Sequence, residues 1–444
     1  MSTLSPSQAP LQGATPLQAS RWSALVDPVG ERFHLLAGVV YVFLLPLATA
    51  PRDIASVALL VITVLRLPKI APSYRSWLVQ PIWWALLAYM AWMCLGLTWT
   101  SDVSSGLVDL KKHRMFLTPL LLLPLLSHAS LLVRAYLAGV VVVNVLQVME
   151  WFQWPSSEVF PLVSRQGALN NQIVTGLFAA VAICYWLRML VFGSIRNLWF
   201  VIPGLGLAGF GLMLSGSRGP IVASMIGCLL LLTVPFITQP RMRVRIFLTT
   251  ILLAGGLALA AVTTSSQYRA AFLGGPAAVY ELLHADEEPR SSVGIRVQMI
   301  EYGIGVFREH PVLGTGPGAA SRYMPEGMDL HGGRGDRVTL HNTYLLALVT
   351  LGIPGFLLLV GVLGAALWQA APLAAGTCLA GGTFYGLVTW MVAAGGDSYQ
   401  ASGNYLGMLG FLLAIGLLGS RPFESTPGSE GGVGHSTPNK SRIS

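Results

Sequence analysis

The chain has 444 residues, 54% of them hydrophobic and 10% charged, with a formal net charge of +8 and a mean hydropathy of +0.64. That balance excludes an ordinary soluble globular protein, and apolar runs long enough to cross a hydrocarbon core of roughly 30 Å recur along it. The positive balance is no argument for nucleic acid, because the positive-inside bias alone makes membrane proteins basic.

The expected fold is all-α and polytopic, since a β-barrel would show short alternating segments instead. Residues 1–30, rich in Ser, Pro, Gln and Ala, read as a disordered cytoplasmic leader and lack the pattern of a cleaved signal peptide. Twelve spans follow, near 33–50, 53–67, 81–99, 114–128, 131–150, 172–192, 197–215, 219–237, 245–263, 342–367, 372–395 and 403–420. The chain thus divides into spans one to nine (31–263), a polar loop (264–341), spans ten to twelve (342–420) and a Gly-, Ser- and Pro-rich tail (421–444) read as disordered. Cys94, Cys184, Cys228 and Cys378 lie in apolar segments without metal-ligand spacing and read as small packing residues.

Orientation follows from the basic residues of short loops. Arg21, Arg32, Arg66, Lys69, Arg75, Arg134, Arg188, Arg196, Arg241, Arg243, Arg245 and Arg421 fall on one side; Arg52, Lys111, Lys112, Arg114, Arg165 and Arg218 fall on the other. The first side is expected to be cytoplasmic, with both termini inside. The run Pro240-Arg241-Met242-Arg243-Val244-Arg245 then sends the polar loop outward.

That loop carries Arg269, Arg290, Arg296, Arg308, Arg322, Arg334 and Arg337 but no lysine. Arginine without lysine suggests that forked, permanently charged donors for phosphate or carboxylate are wanted. Nine acidic residues accompany them, so the loop is not a simple polyanion patch. Before it, the outer turn Ser215-Gly216-Ser217-Arg218-Gly219-Pro220 places Ser217 as a cap and Pro220 at the first position of a helix. A helix N-terminus with Arg218 beside it makes an anion site; the competing reading is a snorkelling arginine. Ile295, Met299, Ile304 and Phe307 give one apolar stripe, so a helix over this stretch lies on the membrane surface or caps the bundle and ends at His310-Pro311. Arg296 binds substrate or pairs with Glu301 or Asp286. Gly314-Thr315-Gly316-Pro317-Gly318 is not a dinucleotide fingerprint; it reads as a loop permitting close backbone approach. His341, opening the tenth span, is either a base held neutral by the helix dipole or an interfacial histidine. His284, Asp286, Glu287 and Glu288 read as a solvated face rather than a metal site. Asp397, the lone acid in the last outer turn, orients a catalytic group, pairs with an arginine or stays solvated.

Three motifs in order, Ser215-x-Ser217-Arg218-Gly219, then Arg296 with Glu309-His310-Pro311-Val312-Leu313-Gly314-x-Gly316, then His341-Asn342-x-Tyr344-Leu345, resemble the O-antigen ligase/polymerase superfamily. The resemblance is close from Ser215 to about Leu346. It implies an inverting glycosyltransferase with a GT-C-type membrane fold of about twelve helices and one large periplasmic loop. It implies a glycan donor on undecaprenyl diphosphate, membrane lipid as surroundings, no metal or other cofactor, and no nucleic acid. The large loop looks most like the ligase branch, which attaches O-antigen to lipid A–core on the periplasmic face of the bacterial inner membrane. By that resemblance Arg218 and Arg296 hold the diphosphate and His341 activates the acceptor hydroxyl. Arg290, Ser217, Asn342, Tyr344 and Asp397 are the further expected substrate contacts. A polymerase or a protein-glycosylating ligase of the same superfamily would share this pattern. A transporter would instead carry ionisable residues near mid-membrane, whereas here the polarity gathers on one face.

Overall fold

The computed structural model describes residues 27–152, 169–251, 255, 292–320, 340–375, 379–398 and 402–419. Among these the protein is all helical, with no strand. The helices are α1 (Pro28–Leu44), α2 (Thr49–Trp77), α3 (Pro81–Gly96), α4 (Val103–His113), α5 (Ala129–Trp151), α6 (Gln172–Phe192), α7 (Leu198–Leu214), α8 (Arg218–Thr238), α9 (Ser292–Glu309), α10 (Thr343–Ala375), α11 (Gly382–Ala394) and α12 (Gly403–Gly416).

Five stretches are long and apolar enough to cross a membrane: Thr49–Pro72, Val103–Trp151, Gln172–Phe192, Arg218–Thr238 and Thr343–Ala375. Shorter apolar helices cover Pro81–Gly96, Leu198–Leu214, Leu379–Ala394 and Gly403–Gly419. The second stretch holds two of the expected spans. Arg114 meets Asp53 at one end of the bundle and His128 meets Glu31 at the other. The chain between them crosses as short helical turns interrupted at Pro119 and Pro124, and α5 returns. Of the expected ninth span, 243–251 is helical and most of the remainder lies outside the described residues.

The centre is α6, apolar on every face and buried from Val174 to Leu187 without interruption. A helix hydrophobic all round belongs inside, and α7, α8 and α11 pack around it. Close approach relies on small residues, as is usual where lipid gives helices no hydrophobic drive to associate. A Cβ at Gly227 of α8 would sit 2.1 Å from the Thr389 hydroxyl of α11. By contrast α2 turns Ile54, Val57, Val61, Val64 and Leu65 outward, a lipid-facing surface.

Described members of the two sets of basic residues lie at opposite ends. At one, Arg188 donates to the Ala374 carbonyl at 2.9 Å and Arg245 to the Gly193 carbonyl at 2.7 Å, so cations satisfy helix C-termini. There too, Asp27 caps α1 through the Gly30 N–H, which with Arg66 and Lys69 holds its carboxyl below the usual range. At the other end lie Arg52, Arg114 and Arg218.

The element that positions the site is the break in α10. Gly352 sits at φ 65 and ψ −169, outside helical values, and Pro354 has no N–H for the Thr350 carbonyl. Three carbonyls therefore lose their partners, a penalty of several kcal/mol each in a lipid interior. All three are satisfied from outside the helix. Val349 accepts Thr315 N–H at 2.8 Å and Thr350 accepts Gly316 N–H at 2.9 Å. Leu351 accepts Trp92 Nε1 at 2.8 Å, and the freed Ile353 N–H goes to Pro311 O at 3.0 Å. The loop after α9 is thus a backbone clamp on the break, and the glycines are where contact is closest. A Cβ on Gly314 would lie 2.5 Å from the Thr350 carbonyl carbon and one on Gly352 2.0 Å from the Val312 oxygen, both at positive φ.

Gly352→Ala should accordingly cost at least the roughly 1–3 kcal/mol of a residue forced into a sparsely populated backbone region. The expected result is a melting temperature in detergent several degrees lower than wild type. An unchanged melting temperature would show that the clamp does not constrain the break.

Candidate active site

Three segments distant in sequence meet at a fourth, the turn 395–398. The first is the N-terminus of α8. Ser217 occupies the cap position expected of it, but its hydroxyl donates to the Ser215 carbonyl at 3.3 Å and no side-chain cap forms. Pro220 is correspondingly the third helical residue rather than the first, because the helix begins at Arg218. The first N–H groups of α8 stay uncapped by that side chain, beside an exposed Arg218. Gly219 abuts the turn: a Cβ on Gly396 would be 3.8 Å from the Gly219 Cα.

The second segment is α9, present as the apolar stripe predicts and ending at Glu309. Met299 and Val306 are buried, and Gly303 faces Leu340 and Leu345, so this helix packs on the first turns of α10. Arg296, half-buried, donates from Nη1 to the Gly396 carbonyl at 3.3 Å. The Arg296 side chain and the backbone of Gly219, next in sequence to Arg218, therefore approach the same glycine from two helices.

The third is the entry to α10. Asn342 caps that helix, its side-chain oxygen accepting the N–H groups of Tyr344 and Leu345 at 3.0 Å each. Tyr344 donates its hydroxyl to Met391 O at 2.7 Å. Both side chains, expected to touch substrate, are engaged in the fold. His341 precedes the cap at φ 47, the one non-glycine residue at positive φ among the described residues. Histidine tolerates this region better than most residues, and strain of this kind tends to occur where side-chain placement matters.

The fourth is the turn itself. Asp397 Oδ1 lies 2.9 Å from His341 Nδ1 and also accepts the Ser398 N–H at 2.8 Å, while Oδ2 accepts the Tyr405 hydroxyl at 3.2 Å. Thr343 donates to the Asp397 carbonyl at 2.7 Å. An ionised carboxylate only accepts, so Nδ1 carries the proton and Nε2 keeps a lone pair when the ring is neutral. The Asp397 side chain is 11% exposed and the His341 side chain 32%. The carboxylate is held inside while an edge of the imidazole stays open. Of the three roles the sequence left to Asp397, orienting His341 is the one this geometry favours. Tyr405, which holds the carboxylate, and Thr343, which holds the Asp397 backbone carbonyl, were not singled out from sequence; a tyrosine opening an apolar helix carries no signal that it reaches back eight residues.

Arg290 and the run His284, Asp286, Glu287 and Glu288 lie outside the described residues. Among the described residues no group of three His, Cys, Asp or Glu side chains comes together.

Residues 203–360 match the family model described as O-antigen ligase. Over this stretch the chain is similar to that family. The matched segment runs from within α7 to beyond the break in α10 and so contains Arg218, Arg296, the clamp loop and His341, while Asp397 lies past its end. No curated protein sequence matches the chain.

The shared neighbourhood of these groups gives a topological expectation. In a cysteine-free background, Arg218→Cys and His341→Cys should both react with a membrane-impermeant maleimide from one face of intact spheroplasts. Lys69→Cys, from the other end, should react only in inverted vesicles. Labelling of Arg218→Cys and His341→Cys from different faces would break the site apart.

Proposed function

We propose that the protein is an inverting glycosyltransferase that moves O-antigen polysaccharide from undecaprenyl diphosphate to lipid A–core. In this reading it is a multi-pass protein of the bacterial inner membrane with its active site on the periplasmic face, and residues 264–341 form the periplasmic loop. The observation that carries the proposal is the Asp397–His341 hydrogen bond lying against the glycine that both arginine-bearing helices approach.

The reaction follows from the groups present. A sugar hydroxyl is a weak nucleophile, and a positioned base contributes about 10²–10⁴-fold. His341 Nε2 takes the acceptor proton as the acceptor oxygen bonds to the anomeric carbon. Nδ1–H remains on Asp397 and stabilises the imidazolium that forms. The bond between the anomeric carbon and the phosphate oxygen breaks on the opposite side, so configuration inverts. The diphosphate leaves as an anion and needs counter-charge rather than a proton. Arg218, Arg296 and the N-terminal N–H groups of α8 supply it in a partly dehydrated setting, where such donors act most strongly. No pair of catalytic carboxylates is required, in contrast to glycoside hydrolysis.

His341→Ala is expected to insert and fold normally yet transfer no glycan above background in detergent. Asp397→Asn, which can present an amide N–H to Nδ1 and favour the wrong tautomer, should lower kcat by roughly 10²–10⁴-fold. Transfer by purified protein in detergent, without a sealed membrane or an ion gradient, distinguishes this reading from a transporter. Offering lipid A–core, a growing glycan and a pilin-like protein as acceptors separates ligase from polymerase and from protein glycosylation. Normal turnover by His341→Ala would remove the base assignment.

A further inference from the structure

A second cationic group stands at the same end of the bundle, outside the proposed reaction centre and outside residues 203–360. It is reached from Asp397 through the first turn of α12. Tyr405 donates to Asp397, and its neighbour Asn404 accepts Arg52 Nη1 and the Thr49 hydroxyl while donating to Asn170 Oδ1 at 3.2 Å. Asn170 in turn donates to the carbonyls of Pro46 and Leu47, both at 2.8 Å. Arg52 places Nε and Nη2 at 3.0 and 2.6 Å from Asp53 Oδ1. Arg114 places Nη2 2.5 Å from the other oxygen, Oδ2. One carboxylate is therefore held between two guanidinium groups.

The two are not equivalent. The Arg52 side chain is 1% exposed and reaches no solute; the Arg114 side chain is 36% exposed. Burying a guanidinium beneath Asp53 costs several kcal/mol of desolvation unless it is well paired, and Asp53 paired with Arg114 alone would already be neutral. With Arg52 neutralising the carboxylate from below, the charge of Arg114 is left uncompensated at the surface. Arg114 uses Nη1 on the Lys111 carbonyl at 3.3 Å and Nη2 on Asp53, so the planar fork is oriented while other donors of its five remain. Lys111, one turn back on α4, is exposed. Lys112 is matched by Asp109 at 2.9 Å. The helix dipole accounts for lysines in the last turn of α4, but not for the buried Arg52 under Asp53. The group also stands at the end opposite Arg188 and Arg245, where positive-inside bias supplies no reason for cations.

We infer that Arg114 and Lys111 form a phosphate-binding site for the acceptor lipid, with Arg52 and Asp53 as the groups that orient and charge it. The inference rests on the transferase reading. There the donor's diphosphate is assigned to Arg218 and Arg296, and a reaction between two lipid-linked substrates needs a second amphiphile at the same face. A phosphate on that amphiphile is the chemistry a surface guanidinium fork with an adjacent ammonium recognises.

The test compares lipid A–core carrying its phosphates with the same acceptor after phosphatase treatment, using full-length protein in nanodiscs of neutral phosphatidylcholine. Arg114→Gln with Lys111→Gln should raise the acceptor KM about tenfold or more for the phosphorylated form, the loss expected for charge-assisted hydrogen bonds. The dephosphorylated acceptor, the donor KM and kcat at saturating acceptor should not change. Arg114→Lys, which keeps the charge, should recover part of the affinity and guards against a variant that merely fails to fold. Acceptor binding measured without donor gives the same comparison independently of turnover. Phosphate-dependent binding with no transfer at all would leave this site standing and end the transferase reading. An unchanged KM, or an equal loss for both acceptor forms, would overturn the site. Competition by phosphatidylglycerol nanodiscs that abolishes the phosphorylated acceptor's advantage would assign the cluster to bulk anionic lipid and overturn it too.

Discussion

A helix that crosses lipid must satisfy every backbone hydrogen bond internally or find other partners for those it loses. That constraint governs α10. Gly352 and Pro354 interrupt its ladder, and the freed carbonyls of Val349, Thr350 and Leu351 are taken by Thr315, Gly316 and Trp92. The donors come from the loop that leaves α9 and from α3, so the break binds three elements together. Because α9 carries Arg296 and the short first half of α10 follows directly from His341, the same hydrogen bonds that repair the break also fix the spacing between a cation and an imidazole. An unbroken α10 would need no loop against it and would leave α9 tied to the bundle by side-chain packing and the Arg296–Gly396 hydrogen bond.

The other organising contact is the turn 395–398. It brings little bulk, two glycines followed by an acid and a serine, so α8 and α9 approach its backbone closely. Its one carboxylate is saturated by His341, Ser398 and Tyr405, which leaves it few orientations and gives the imidazole a fixed tautomer. A ring pinned at one nitrogen and open at the other is suited to accept a proton from a hydroxyl. Arg218 and Arg296, on the helices that approach the turn, are suited to an anion rather than to the acid–base work itself. Division of labour of this kind follows from the chemistry: guanidinium stays charged at any working pH, and imidazole does not.

Much of this was legible in the sequence, for identifiable reasons. Apolar runs marked the helices because lipid tolerates little else. Arginine at a Ser-x-Ser-Arg-Gly-Pro turn and histidine ahead of an Asn cap pointed to a candidate site because each stands at a helix N-terminus, where the dipole favours an anion and disfavours a protonated imidazole. The glycine-rich loop was read as a place of close backbone approach, which the contacts of Gly314 and Gly316 bear out. What could not be read was who the partner is. Nothing local in Gly-Thr-Gly-Pro-Gly names Gly352, since the two meet only in the folded bundle. Ser217 looks like a cap by position, yet its hydroxyl finds the nearer Ser215 carbonyl. Of the residues grouped with the substrate contacts by motif, Asn342 caps α10 and Tyr344 ties that helix to the Met391 carbonyl of α11. Asp397 had three possible roles until its neighbour was known.

Two buried arginines show how far the same residue type can diverge with its surroundings. Arg188 and Arg52 are each 1% exposed. Arg188 faces carbonyl oxygens at the end of α10 and the ring of Phe192, whose centroid lies 4.2 Å from its guanidinium carbon; these are neutral acceptors, and its charge serves the helix terminus. Arg52 faces a carboxylate already shared with a surface arginine, so its charge is passed outward. In the first case a buried cation completes the fold at the basic end of the bundle. In the second it alters the electrostatic balance of the opposite face, one helical residue away from the tyrosine that holds Asp397. Burial by itself therefore does not distinguish a structural arginine from one that shapes a binding surface. The identity of the acceptor, carbonyl or shared carboxylate, does.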